Sequence, residues 1–214
     1  ILQAMHELAE MARTAQDGLM GKFRIGVIPT IAPYLLPHLI RALSVRFPAL
    51  EVDVRETVTP RLMDELGDGR LDTAIVALPV LEPAFKEVPL FDESLMLVRP
   101  NSDAGKPVPS AADLRDMRLL MLEEGHCFRD QALSFCHLQD ARSGLEGSSL
   151  STLVQMVGAG IGVTLIPEMA AAVETRAAPV ILFTLKKVIS KHTWVSRRIR
   201  AFFLNFKNQG RLSN

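Results

Sequence analysis

The chemistry-bearing stretch of this chain is Glu124-Gly125-His126-Cys127-Phe128-Arg129-Asp130-Gln131-Ala132-Leu133-Ser134-Phe135-Cys136, which holds both cysteines of the 214 residues. Phe128, Ala132, Phe135 and Cys136 recur at i, i+4, i+7 and i+8, which predicts a helix with one buried face. Gly125 interrupts the chain just ahead, so Cys127 is expected at the helix N-terminus. Nine residues of helix advance the chain by roughly 13.5 Å and turn it by about 900°, leaving the two sulfurs on opposite faces. A disulfide needs Cα atoms about 4.4–6.8 Å apart. Helix and disulfide therefore exclude each other here; if both states form, the segment is a switch.

The surroundings of the two thiols differ. Cys127 shares its helix side with Gln131 and Ser134 and neighbours His126 and Arg129 at the positive end of the helix dipole, features that favour the reactive thiolate. Cys136 lies among Phe128, Ala132 and Phe135, where a thiol stays protonated. One reactive and one resolving thiol is the arrangement a peroxide sensor needs. Spacing alone leaves other readings open: a buried reduced pair, a permanent disulfide, or zinc held through His126, Cys127, Cys136 and His137. The adjacent His-Cys ligands and the missing C-x₂₋₄-C spacing count against zinc.

The run His126 to Cys136 resembles the redox segment of the peroxide-sensing, OxyR-type branch of the LysR-type transcriptional regulators. Arg46-Phe47-Pro48, Gly69-Arg70-Leu71-Asp72-Thr73-Ala74-Ile75 and Val157 to Pro167 resemble recurring signatures of that family's regulatory domains. The resemblance covers about residues 1–185 and implies an α/β fold of two Rossmann-like subdomains with a cleft between them, as in periplasmic binding proteins. It implies a cytoplasmic activator in which Cys127 is peroxidatic and Cys136 resolving, joined by a reversible disulfide. Thr30, His126, Arg129 and Asp130 match positions lining the reactive-cysteine pocket. The implied partners are hydrogen peroxide, a second copy through the regulatory domain, a tetramer at full length and RNA polymerase. A glutaredoxin- or thioredoxin-type reductant would reset the thiols. Promoter DNA would be met through an N-terminal winged helix-turn-helix that these residues do not include. No cofactor, metal or membrane is expected, and the chemistry is stoichiometric rather than enzymatic.

The positioning elements follow from periodicity. Residues 1–20 read as the end of a linker helix, or equally as an amphipathic terminal lid. Phe23 to Ile28 is a strand, Ala32 to Arg46 a helix with Leu35, Leu36, Leu39, Ile40 and Leu43 facing inward, Leu50 to Val54 a strand, Thr59 to Gly69 a helix and Leu71 to Leu78 a buried strand. This is a doubly wound pattern with right-handed crossovers. Thr30 then falls at the carboxyl edge of the sheet, where α/β folds place ligands; capping of the next helix is the plain alternative for its hydroxyl. Two strands within residues 85–99, a short helix capped by Ser110, and a strand from Arg118 to Leu122 lead into the cysteine segment. Helices Ser148 to Val157 and Glu168 to Glu174 flank a strand at Val163 to Ile166, and strands at Val180 to Phe183 and Val188 to Val195 precede a basic helix from Arg197 to Asn208. Subdomain I is expected to span residues 21–91 plus about 197–214, and subdomain II residues 92–196.

Other function classes lack support. Gly158-Ala159-Gly160-Ile161-Gly162 is preceded by a helix and followed by a strand, the reverse of a dinucleotide fingerprint, so it reads as a helix C-cap and turn. No Gly-x-Ser-x-Gly elbow occurs. Charge balances at 24 basic and 24 acidic residues. Even so, residues 175–214 carry no Asp or Glu; the plain reading is a solvated tail, and the sharper one contact with phosphate or an acidic partner. A small-molecule effector or solute-binding domain with incidental cysteines is the alternative function, and a thiol peroxidase a third.

Overall fold

The computed structural model describes residues 20–80, 82–136 and 145–196. The expected linker helix and the basic C-terminal helix lie outside them, as does His137. Eight strands, β1 (Gly21–Val27), β2 (Leu50–Glu56), β3 (Thr73–Ala77), β4 (Lys86–Pro100), β5 (Leu119–Leu122), β6 (Glu146–Gly147), β7 (Val163–Pro167) and β8 (Val180–Ser196), form one curled sheet in the order β2-β1-β3-β8-β4-β7-β5-β6. The first unit is β1 (Gly21–Val27), α1 (Ala32–Arg46), β2 (Leu50–Glu56), α2 (Thr59–Gly67) and β3 (Thr73–Ala77), with β1 parallel to both β2 and β3. Helix α1 starts with a proline in its first turn, whose missing N–H has no helical partner there, and stops at Phe47, ahead of Pro48. Its inward stripe is narrower than periodicity predicts. Leu43 is buried and Leu35, Leu36 and Leu39 are partly covered, whereas Ile40 is exposed.

β4 (Lys86–Pro100) is one strand of 15 residues where two were expected, and β8 (Val180–Ser196) is likewise a single strand of 17. They pair antiparallel almost end to end, with register shifts between Pro89 and Phe91 and between Ser94 and Met96. Pro89 has no N–H to give to the ladder, which accounts for the first irregularity. Between them come α3 (Ala111–Leu114), β5 (Leu119–Leu122), α4 (Cys127–Phe135), β6 (Glu146–Gly147), α5 (Leu150–Gly158), β7 (Val163–Pro167) and α6 (Glu168–Glu174). Ser110 and Asp113 form a reciprocal capping box at α3, and the Ser149 hydroxyl accepts from Thr152 N at 3.2 Å to cap α5.

Two cores result. Ile25, Ile31, Leu62, Leu66 and Ile75 belong to the first and Leu97, Leu120, Leu153 and Leu165 to the second, the two-subdomain α/β architecture. The long strands cross between them: Phe91 packs on the first core and Leu95 in the second, while on the return Leu185 is in the second and Trp194 in the first. Trp194 and Val195 thus pack with the first subdomain although they precede residue 197. Helix α6 ties the halves together. The Tyr34 hydroxyl of α1 donates to Glu174 Oε1 at 2.6 Å, and Met169 N donates to Glu93 Oε1 of β4 at 2.7 Å. The glycine run follows α5 as expected. Ala159 is its C-cap, Gly160 has φ +78°, and a Cβ on Gly162 would stand 2.3 Å from the Arg118 carbonyl oxygen.

Candidate functional site

The parallel strands β1, β2 and β3 end at one edge of the sheet. Thr30 follows the end of β1 by three residues and Thr59 follows the end of β2 by three, with Val27 and Glu56 in register. Thr30 is buried, and α1 has no side-chain cap, so the capping alternative for its hydroxyl is not realised at the α1 N-cap, Ile31. The N-terminus of α4 is brought to this edge by the turn after β5. Gly125 takes φ +93°, a conformation that strains any L residue, and its Cα faces Val58, the residue before Thr59. His126 is the N-cap and Cys127 the first helical residue, as the spacing predicts.

The two thiols belong to different cores. Cys127 is half-buried and packs against the first core, while Cys136, the helix C-cap, is fully buried in the second beside Phe128 and Ala132. Both are free in this structure. Burial pushes the Cys136 thiol up to about 11, with Arg115 opposing it. Burial also raises Cys127, against the lowering pull of the Thr59 hydroxyl and the backbones of Ala77 and Phe128; the exposed Asp130 carboxylate raises it further.

That direction corrects the expected thiolate-favouring surroundings. His126 is buried and desolvation lowers its pKa, with Glu123 opposing, so it is neutral rather than a cation beside the sulfur. Arg129 is directed elsewhere. Its Nη1 donates to the Leu122 carbonyl at 3.0 Å and pairs with Glu146. Of the four pocket positions named from sequence, His126, Arg129 and Asp130 thus share the first turn of α4 or its cap, and Thr30 lies beyond β1.

Sequence reasoning missed Thr59 and the role of Gln131. The Thr59 hydroxyl lies beside the Cys127 sulfur, close enough to lower its pKa, yet its geometry falls short of a full hydrogen bond and its buried oxygen stays unpartnered. Gln131 Nε2 donates to the Leu78 carbonyl at 3.3 Å, just past β3, and leaves Oε1 buried without a partner. All three parallel strands therefore send a group toward this edge. The rule that selected Thr30, a hydroxyl just past a strand's carboxyl end, also fits Thr59. Ser190 Oγ, His192 Nδ1 and Thr193 Oγ1 on β8 are further buried atoms without partners. His192 stacks on Phe91 with ring centroids 4.8 Å apart, and burial lowers its pKa to about 4. Buried polar atoms are ordinarily hydrogen-bonded, and His192 and Thr193, as strand neighbours, face opposite sides of the sheet. Among the described residues, no group of three or more His, Cys, Asp or Glu is placed to hold a metal ion.

The chain is 43% identical over 182 residues to a probable hydrogen peroxide-inducible genes activator of Streptomyces viridosporus, covering 82% of this chain and 58% of that protein. It is 42% identical over 180 residues to the DNA-binding transcriptional dual regulator OxyR of Escherichia coli, covering 82% of this chain and 59% of that one. The chain thus spans somewhat over half the length of these relatives. Among solved structures it is similar to a peroxide-bound cysteine-to-serine variant of OxyR from Corynebacterium glutamicum, with a TM-score of 0.84, 30% identity, and coverage of 96% of this chain and 67% of that one. The reduced regulatory domain of OxyR2 from Vibrio vulnificus superposes with a TM-score of 0.78 at 30% identity, covering 90% and 93%. Residues 16–202 match the LysR substrate binding domain, and this chain belongs to that family, with OxyR proteins among its relatives.

Proposed function

We propose that this chain is the peroxide-sensing regulatory part of an OxyR-type transcription factor that switches through a reversible Cys127–Cys136 disulfide. The observation that carries the reading is the placement of the thiols at opposite ends of one short helix, with Cys127 beside buried unpartnered oxygens. The names of the relatives support peroxide as the signal. In the first step the Cys127 sulfur attacks one peroxide oxygen and the O–O bond breaks. The other oxygen leaves as water with the thiol proton, and sulfenic acid forms. Cys136 then attacks that sulfur, the S–O bond breaks, a second water leaves with the Cys136 proton, and the two thiols have together given two electrons. Burial raises the Cys127 thiol above its ordinary value, so a neighbouring group that takes up its proton favours the attack. Thr30, Thr59, His126 and Gln131 are the groups to hold the peroxide and relay the proton, with Asp130 at the rim.

The disulfide remodels α4 and with it the packing of two copies of the chain, which is how the signal would reach the DNA-binding domains, promoter DNA and RNA polymerase at full length. A dithiol reductant of the glutaredoxin or thioredoxin type resets it. Single-serine variants test the assignment. After brief peroxide treatment, mass spectrometry should find sulfenic acid trapped on Cys127 in Cys136→Ser and an unmodified Cys136 in Cys127→Ser; equal oxidation of both variants would refute the roles.

A further inference from the structure

Both ends of the helix between the thiols are held by guanidinium groups. At the N-terminal end, the Arg129 side chain is only 11% exposed; it donates to the Leu122 carbonyl and pairs with the Glu146 carboxylate. Leu122 ends β5, and Glu146 lies on β6, which pairs with β5 through Met121 to Glu146 and Leu122 to Gly147. The guanidinium therefore grips one corner of the sheet through both strands. At the other end Arg115, itself exposed, donates from Nε to the Cys136 carbonyl at 2.9 Å. The two holds are unequal. Two contacts, one of them to a carboxylate that is 36% exposed, anchor the first turn, and a single bond to a carbonyl anchors the last, both donors being cationic.

Building on the disulfide reading above, we propose that the Arg129–Glu146 pair is a positioning clip that holds α4 in its helical, reduced form and so sets how readily Cys136 closes on oxidised Cys127. Closing must bring together Cα atoms that the helix keeps about 13.5 Å apart, so the helix unwinds. Arg129 moves with its first turns while Leu122 and Glu146 stay fixed in the sheet. A contact made in the helical state and lost in the unwound one biases the equilibrium toward the helix by its differential strength. The clip acts on the second step only, since attack of Cys127 on peroxide needs no unwinding.

Glu146→Gln in the whole chain tests this. Closure of the disulfide after one peroxide pulse should quicken about two- to fivefold, the factor expected for loss of an ion pair with an exposed carboxylate. The Cys127/Cys136 midpoint should move toward easier oxidation, and α4 amides of the reduced protein should exchange faster. Sulfenic acid formation on Cys127, followed in a Cys136→Ser background, should keep its wild-type rate. Unchanged closure and unchanged exchange would overturn the clip. A faster first step with unchanged closure would also overturn it, giving the pair an electrostatic role on the thiol instead. In a chain that never forms the disulfide, the function reading falls by itself, and the exchange measurement still decides whether the pair holds the helix.

Discussion

Oxidation should unwind α4 at a small net cost in stability. Cross-linking residues 127 and 136 closes a loop of about ten residues and removes unfolded-state entropy worth roughly 2.7 kcal/mol. Against this, Phe128 is 5% exposed in the second core, and uncovering such a side chain costs about 1.5–3 kcal/mol. Giving up two or three helical hydrogen bonds, among them the one from Cys136 N to the Ala132 carbonyl, costs about 1 kcal/mol each. The oxidised form is then less stable by about 1–3 kcal/mol, a fall in Tm of roughly 2–12 °C for a chain of this size. Such near-balance lets a modest oxidant decide the state. The assay is hydrogen exchange on amides 128–136 in both redox states, with thermal melts alongside. Retained protection in a confirmed disulfide form would refute the reasoning, since the helix cannot keep its geometry with the sulfurs joined; an oxidised form 20 °C less stable would refute the balance.

The raised Cys127 pKa fixes a pH dependence, because the thiolate fraction grows only as pH approaches a value above the ordinary 9.0. Alkylation of Cys127 in Cys136→Ser should climb about tenfold per pH unit from 6 to 9; a plateau below pH 8 would contradict the burial argument. Tyr34→Phe removes the hydroxyl that reaches Glu174 across the two subdomains and should cost about 1–2 kcal/mol in thermal or urea melts. Gly162→Ala sets a Cβ against the Arg118 backbone oxygen and should destabilise the chain by at least about 2 kcal/mol, read as a lower urea midpoint.

What the sequence reveals and what it hides divide along physical lines. Helix α4 was legible because Gly125 and the apolar spacing of Phe128, Ala132 and Cys136 act within a few residues of one another. Order along the chain was also enough to reject a phosphate loop at Gly158 to Gly162. The continuity of β4 and β8 was not legible. The polar run Asp92-Glu93-Ser94 looks like a strand end, and only the antiparallel partner carries the ladder past it. The charge state of the site was misread for a similar reason. Adjacency puts Arg129 and His126 near Cys127, but the partner that takes Arg129 is Glu146, 17 residues on, and burial neutralises His126. Thr59 needed the topology as well, since only the parallel register of β1 and β2 places it level with Thr30.

The central claim is that the two cysteines form one peroxide-driven pair within a single chain. Counting free thiols before and after one equivalent of hydrogen peroxide, with peptide mapping of the product, tests it most directly. The account predicts two thiols falling to none, with a single linked peptide pair joining Cys127 to Cys136 of the same chain and both thiols restored by a dithiol reductant. Two thiols surviving a full equivalent of peroxide, or a bridge joining Cys127 residues of two chains, would contradict it.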